Sequence, residues 1–503
     1  MKLLQIVALV FTVIRATAFA QERPNVLLIL TDQQRGDMLS CAGNRCLKTP
    51  NLDRLAAEGM RFARAYVSNP VCIPSRFSLM TGHLPSVIGM EGNDDERNAV
   101  SDEILLHSLG KVFQRAGYTT AYAGKVHLPG QEGVRGNVRA YGFEQLLAPR
   151  DFIGREPTVH ACVEFLKQPH EQPFLLVCSL INPHDICYLA IRDYYEHGGE
   201  KRWGLERNAI LELDKALALP PGVSEREFFE KHCPPLPPNH EAPQQELTAS
   251  LLQRAADAPF VLWTRQHWDE RKWRFHRWAY ARLTESVDEQ IGRVLDALRE
   301  AGLEQKTIVA MTSDHGEQDG SHRLVHKTFL YEESVRVPLL LRWKGMIKPE
   351  QVNDTHLVCT GTDLLPTLCD LAGLPVSPTY PGRSLKPLTQ GRTVTDWRQF
   401  LIIETRLARL VHMGRWKYMV GIDPEQMPEK YRPFLSAHYV REALVDLRED
   451  PGEMRNVGHA RRAALEQGRR LLQQWCRTQQ NPLCARYQTN LPPTKQQTSR
   501  KEK

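Results

Sequence analysis

After its first twenty residues the 503-residue chain has no long apolar run, so no later segment is built to cross a bilayer. No internal repeat appears, and the repeat architectures lose their main sequence signal. Neither charge sign dominates: the net charge of +6 is too mild to argue for a nucleic-acid partner, and part of it lies at the C-terminal end. The eleven cysteines show no regular spacing, and an odd number leaves at least one outside any set of pairs. Cys41 with Cys46, or Cys476 with Cys484, are candidates to bridge, and the sequence assigns no pair. Cys178, inside an apolar run, reads as a buried thiol. What remains is ordinary globular composition, 42% apolar and 25% charged, with length for a large core.

Residues 1–20 read as a secretory signal: Lys2, then the short apolar run Leu3 to Ile14, then Arg15 and an Ala18-Phe19-Ala20 cleavage site. An exported protein, periplasmic or extracellular and without stable membrane insertion, is the expectation. At the other end, 487–503 holds Lys495, Arg500, Lys501 and Lys503 without apolar periodicity and reads as a disordered basic tail.

Between these ends, short continuous apolar runs stop at polar residues. Val26–Leu30 leads into Asp32-Gln33, and Tyr118–Ala123 into Lys125 and His127. Phe174–Leu180 leads into Asn182-Pro183-His184-Asp185, and Ile308–Met311 into Asp314-His315. Continuous runs fit strands buried on both faces. Helical patterns lie between them over Thr49–Arg61, Ser101–Ala116 and Trp278–Ala301. The expectation is an α/β fold, a large mixed and mostly parallel sheet between helices, with functional residues at the carboxyl ends of strands. Residues 21–375 would form this domain, interrupted by a Pro-rich surface insertion over 219–246 that contains Cys233-Pro234-Pro235-Leu236-Pro237-Pro238. Short strands at Leu401–Thr405, Trp416–Val420 and Glu442–Leu447 and a helix over Ala460–Arg477 suggest a smaller antiparallel C-terminal subdomain, 376–486.

The most specific stretch is Cys72-Ile73-Pro74-Ser75-Arg76, continuing Phe77-Ser78-Leu79-Met80-Thr81-Gly82. Pro74 suits the first turn of a helix, which would set Cys72 at a helix N-terminus, an anion site, with the cation Arg76 beside it. This stretch resembles the signature of the formylglycine-dependent sulfatases, of the alkaline-phosphatase-like superfamily. The resemblance runs from about Pro24 to Val420 and includes Gly124-Lys125-Val126-His127, Asn182-Pro183-His184-Asp185, Lys327, and Arg336-Val337-Pro338-Leu339.

The resemblance implies that a maturation enzyme oxidises Cys72 to formylglycine, whose hydrate attacks a sulfate ester. It implies a divalent metal, Ca²⁺ or alternatively Mg²⁺, held by Asp32, Gln33, Asp314, His315 and residue 72; hard oxygen ligands suit both ions. Gln33 stands where many relatives have a second Asp, and His315 where many have Asn. Arg76, Lys125, His127, His184 and Lys327 would be catalytic. His127 would act as base for sulfate release, and His184 or Lys327 would protonate the leaving oxygen. Lys125, His184, Lys327 and His322 would bind substrate, a sulfated carbohydrate or another sulfate ester. A phosphodiester or phosphonate monoester hydrolase is the sister reading, and an inactive glycan-binding protein the reading from another class. Trp263, Trp268, Trp273 and Trp278, among Arg265, Arg271, Lys272, Arg274 and Arg277, fit either core packing, the commoner role, or a wall for sulfated glycan.

Overall fold

The structure, a computed structural model, describes residues 23–130, 137–148, 155–479 and 482–487. The secretory signal and the basic tail beyond Tyr487 lie outside the described residues. Tyr487 itself is not tail-like: it is 2% exposed, and its hydroxyl donates to the Arg406 carbonyl.

In chain order the first ten strands are β1 (Asn25–Asp32), β2 (Met60–Phe62), β3 (Ala65–Tyr66), β4 (Thr119–Gly124), β5 (Gln145–Ala148), β6 (Phe174–Pro183), β7 (Thr307–Ser313), β8 (Leu339–Arg342), β9 (Gln351–Asn353) and β10 (Val358–Cys359). Eight of them form one sheet in the order β5-β4-β6-β1-β7-β8-β2-β9. The pairs from β5 to β7 and the β2–β9 pair are parallel; β8 runs antiparallel to both neighbours. The four apolar runs are therefore the adjacent strands β4, β6, β1 and β7. Their continuity has a direct cause. In β1, Val26, Leu28 and Leu30 face one hydrophobic cluster while Leu27 and Ile29 face another on the opposite side. Both faces are dry, so both parities must be apolar.

The helices depart from expectation where side chains cap the backbone. The 101–116 segment splits into helices Asp102–Leu106 and Leu109–Arg115, because Ser108 between them bonds the carbonyls of Leu105 and Tyr141. The long helix begins eight residues early, at Glu270, where Asp269 accepts from the Lys272 N–H at 2.8 Å.

The insertion over 219–246 is exposed along much of its length and tied down at a few buried residues. After a π-helical turn, Phe228–His232, it runs as an irregular strap with Cys233, Asn239 and His240 buried. Arg274 donates to the carbonyls of Phe229, Cys233 and Pro234, and His240 Nδ1–H donates to Gly320 O at 2.7 Å. The strap thus braces the loop that follows β7. Its prolines remove N–H groups that would otherwise need partners in the interior.

The C-terminal sheet is antiparallel: β11 (Leu401–Glu404), β12 (Ala408–Met413), β13 (Trp416–Gly421) and β14 (Glu442–Asp446), in sequence order and packed by the helix Arg462–Gln479. The sequence pattern missed β12 because Arg409 and His412 interrupt its apolar alternation, yet both are 1% exposed or less. Cys476 and Cys484 form the disulfide seen among the described residues; Cys41 and Cys46 are free thiols. Cys178 is buried as expected.

Candidate active site

Cys72 opens the helix Cys72–Thr81, every residue of which is buried. Its sulfur lies at the helix N-terminus, where unpaired N–H groups favour negative charge. Burial and the charge of Asp32 press the thiol pKa upward, but Lys125, Lys327 and His315 together carry it well below the ordinary range. The encoded side chain at this position thus sits in a cationic nest that favours its ionised form.

Asp32 ends β1, and Asp314 follows β7, its neighbour in the sheet. Both are fully buried, and Arg76 joins them. Its Nε donates to Asp314 Oδ2 at 2.8 Å and its Nη2 to Asp32 Oδ2 at 3.1 Å. Nη1 donates to Ser179 Oγ at 2.8 Å and to the Lys125 carbonyl at 3.0 Å. All three nitrogens bond to the protein, using four of the five N–H groups, so Arg76 ties carboxylates and backbone together, with the second Nη2 N–H outside these four bonds. Lys125 Nζ reaches Asp32 Oδ2 at 2.6 Å. Its strand ends at Gly124 with φ +89, and a Cβ there would stand 2.0 Å from Ser179 O, so only glycine permits this close approach of β4 and β6.

The two carboxylates are pushed apart. Burial raises both, but Lys125, His184, Arg76 and Lys327 bring Asp32 well below the usual carboxylate range. Asp314 is pushed up to about 6 by burial and then by the charge on Asp32. His315 Nδ1 lies 3.0 Å from the Gly316 carbonyl, which can only accept, so that nitrogen carries the hydrogen. Its Nε2 then faces Cys72 Sγ at 3.1 Å, Asp314 Oδ1 at 3.6 Å and Asp32 Oδ1 at 3.8 Å.

Asp32, Cys72, Asp314 and His315 each offer one ligand atom, all within 4.8 Å of one another. Asp32 Oδ1 is buried and has no hydrogen-bond partner. An orphaned carboxylate oxygen, a second carboxylate and an oriented imidazole fit a divalent cation. Gln33 is different. Its Oε1 accepts from Lys327 Nζ at 2.7 Å and its Nε2 donates to Glu317 Oε2. A neutral amide can bridge a cation and an anion in this way, whereas a second Asp could not, and the oxygen expected on the metal is engaged by Lys327 instead.

His184 begins the short helix after β6, following the cis Asn182–Pro183 bond. Burial, Lys327 and Lys125 push its pKa well below the histidine range, leaving the ring neutral. The next residue, Asp185, is locked in a bidentate pair by Arg155, with Nε–Oδ2 at 2.6 Å. Lys327 pulls the other way: burial lowers it, but Cys72, Cys187, Asp32 and Asp314 raise it, so it stays cationic. His326 and Thr328 on either side of it have φ of 75° and 87°, a left-handed backbone that costs roughly 1–3 kcal/mol per residue and must be imposed by the surroundings. His127, two residues beyond Lys125, has φ 47° and is half-buried.

His322 belongs to the packing. Its ring stacks on Tyr331 at 3.8 Å between centroids and its Nε2 pairs with the Gly452 carbonyl at 2.9 Å. The tryptophans likewise pack. Trp268, Trp273 and Trp278 are buried, and their basic neighbours are paired with Glu246, Glu225, Asp193 and Asp319 or with carbonyls. Ser179, Glu317 and Cys187, all in contact with the site residues, were passed over in the sequence. Only Glu317, three residues after Asp314, had a positional signal.

A cavity of about 350 Å³ adjoins the cluster, with Val71, the residue before Cys72, and Lys327 in its lining. Its size falls within the roughly 300–1,000 Å³ range of small-molecule sites.

The sulfatase family model matches residues 24–374, well over half of the chain, and a second family, described as N-sulphoglucosamine sulphohydrolase, C-terminal, matches residues 320–480. The delta-4,5-hexuronate-2-O-sulfatase of Bacteroides thetaiotaomicron is 28% identical over 459 residues, covering 88% of this chain and 86% of the relative. A solved 2-O GAG sulfatase superposes with a TM-score of 0.73 at 24% identity, over 94% of this chain and 96% of the other. The phosphonate monoester hydrolase of Agrobacterium radiobacter shares the fold at a TM-score of 0.66 and 21% identity, over 91% and 96% of the two chains.

Proposed function

The chain belongs to the sulfatase family and is a sulfuric ester hydrolase, and from that premise we propose that it is exported and cleaves sulfate esters of a carbohydrate through a formylglycine made from Cys72 by a maturation enzyme. The observation that carries the reading is residue 72 itself: buried, first in its helix, and ringed by Lys125, Lys327 and His315 against two carboxylates. Matured to formylglycine, residue 72 would present a hydrated aldehyde, with one hydroxyl to attack sulfur and the other to expel sulfate. In that state an aldehyde-hydrate oxygen stands where Cys72 Sγ stands here. Asp32, Asp314, His315 and this oxygen would hold the divalent cation, Ca²⁺ or Mg²⁺, which when bound supplies Lewis-acid charge to the attacking and sulfate oxygens.

The protein's own groups divide the remaining work. The helix N-terminus, Lys125 and Lys327 face the sulfate with positive charge fixed before the reaction begins. Arg76 acts one step back by holding Asp32, Asp314 and the Lys125 backbone in place. Lys327, held protonated, brings the proton that the departing alcohol oxygen takes. His184, held neutral, donates and accepts hydrogen bonds at the ester. His127 takes the proton of the second hydroxyl as sulfate leaves.

The test is mass spectrometry of the peptide carrying residue 72 after co-expression with a formylglycine-generating enzyme. The thiol and one hydrogen should be replaced by an aldehyde oxygen, and Cys72→Ala should abolish aryl sulfate turnover. An unmodified cysteine in an active enzyme would refute the mechanism. The likeness to a phosphonate monoester hydrolase gives the second reading its support, and aryl sulfate assayed beside aryl phosphonate separates the two.

A further inference from the structure

Arg254, in the helix Thr248–Asp257, lines the same cavity as Lys327 and Val71 and is 7% exposed. A buried guanidinium requires a countercharge, and this one is short of it. Its nearest carboxylate, Asp257, stands 3.8 Å from Nη2 and is held more closely by Lys430 Nζ at 2.5 Å and by the Tyr431 hydroxyl at 3.1 Å. Nη1 donates to His326 Nδ1 at 3.4 Å, a ring that burial and its cationic neighbours keep neutral. Nε is buried with no hydrogen-bond partner. Among the described arginines with a resolved shift, Arg254 is the one whose pKa falls: burial lowers it and Asp257 does not restore it. Its helix neighbour Gln253, 2% exposed, also lines the cavity and has an unpartnered Oε1. The remaining acid on the cavity wall, Asp94, is paired with Arg406.

We propose that Arg254 anchors an anion subsite, which takes a second negatively charged group, carboxylate or sulfate, on the sugar that carries the scissile sulfate ester. The inference rests on the carbohydrate sulfatase reading. His326 ties the subsite to the reaction centre, since it touches Arg254 and precedes Lys327 in the chain. The cavity volume suits one sugar-sized molecule carrying both charges. Trp203 adds apolar surface to the cavity wall, and the Gln253 Oε1 is an acceptor for a hydroxyl.

Calorimetry on Cys72→Ala protein, which cannot turn over, tests this with three probes: a 2-O-sulfated uronic acid, a glucosamine carrying two sulfates, and a neutral hexose monosulfate. At least one dianionic sugar should bind about 10- to 100-fold more tightly than the monosulfate, the range expected for a charge-assisted hydrogen-bonded pair. Arg254→Gln should erase that advantage and Arg254→Lys should retain part of it. Which dianionic probe binds identifies carboxylate or sulfate as the partner. Equal affinity for all three sugars, or an advantage that survives Arg254→Gln, overturns the proposal. Because the wild-type comparison alone can refute it, a variant that fails to fold does not shield it. Failure of the matured wild-type enzyme to release sulfate from any ester would instead strike the function itself.

Discussion

Replacing Arg76 by methionine isolates the electrostatic role of the residue that joins the two carboxylates. Methionine fills most of the stem's volume, so the loss is chiefly of charge and hydrogen bonds. Asp32 keeps Lys125 Nζ at 2.6 Å. Asp314 keeps only His315 at 3.6 Å and the Gln33 N–H at 3.2 Å. The penalty therefore falls on Asp314, and breaking one partner of a buried ion pair costs about 3–5 kcal/mol. Asp314 already stands at about 6 with Arg76 present, raised first by burial and then by Asp32. Losing the guanidinium raises it further. An unfolded Asp titrates near ~3.9, so the folded variant holds a proton that the unfolded chain releases. Its stability then falls as pH rises from about 4 through the raised value. The variant's deficit should thus be larger at pH 8 than at pH 5. Adding Asp314→Asn removes the stranded carboxylate and should recover at least half of the loss. The assay is urea unfolding followed by tryptophan fluorescence, in chelator so that no cation replaces the missing charge. A loss under about 1 kcal/mol at pH 8 would contradict the buried-pair magnitude. An equal loss at both pH values, or a double variant no more stable than the single one, would contradict the assignment to Asp314.

Chelation should abolish turnover and lower the melting temperature, and Ca²⁺ should restore both at lower concentration than Mg²⁺; saturation at a hundredfold over Kd stabilises by about 2.7 kcal/mol. A melting temperature indifferent to chelator would argue against the Asp32–Asp314–His315 cation site. Lys327→Ala should slow aryl sulfates with poor leaving groups by about 10²- to 10⁴-fold and good ones much less, because a proton donor matters most to a basic leaving oxygen. A uniform loss across leaving groups would assign Lys327 to sulfate binding alone. Trp273→Ala should cost about 3–5 kcal/mol of stability as a fully buried side chain. A stable Trp273→Ala protein that has lost glycan affinity would restore the glycan-wall reading of that segment.

Much of the site was legible because its chemistry sits at the ends of buried strands. A strand covered on both faces must be apolar throughout, so Asp32, Lys125, His184 and Asp314 stand out where their runs stop. The C-terminal strand β12 was not legible, since Arg409 and His412 are buried through partners supplied by other parts of the chain, Glu404 and Tyr487 for the first and Glu332 for the second. The strap over 219–246 was legible as a Pro-rich surface insertion, but its anchoring contacts were not. Its prolines exclude regular structure but carry no information about whether the irregular chain lies in water or against Arg274 and Gly320.

By itself the sequence determined the α/β class, the helix that begins at Cys72 and the identity of the residues that can hold charge at the strand ends. These follow from local rules, from periodicity, proline placement and side-chain chemistry. Only the tertiary structure decided how those charges are shared. It tied Arg76 to Asp32, Asp314, Ser179 and the Lys125 backbone, and placed Gln33 between Lys327 and Glu317. It also packed His322 against Tyr331 and left Arg254, on the wall of the adjoining cavity, to share its nearest carboxylate with Lys430 and Tyr431. The reason is physical. A buried charge takes its energy from whichever partners lie within a few ångströms, and those partners come from segments hundreds of residues apart.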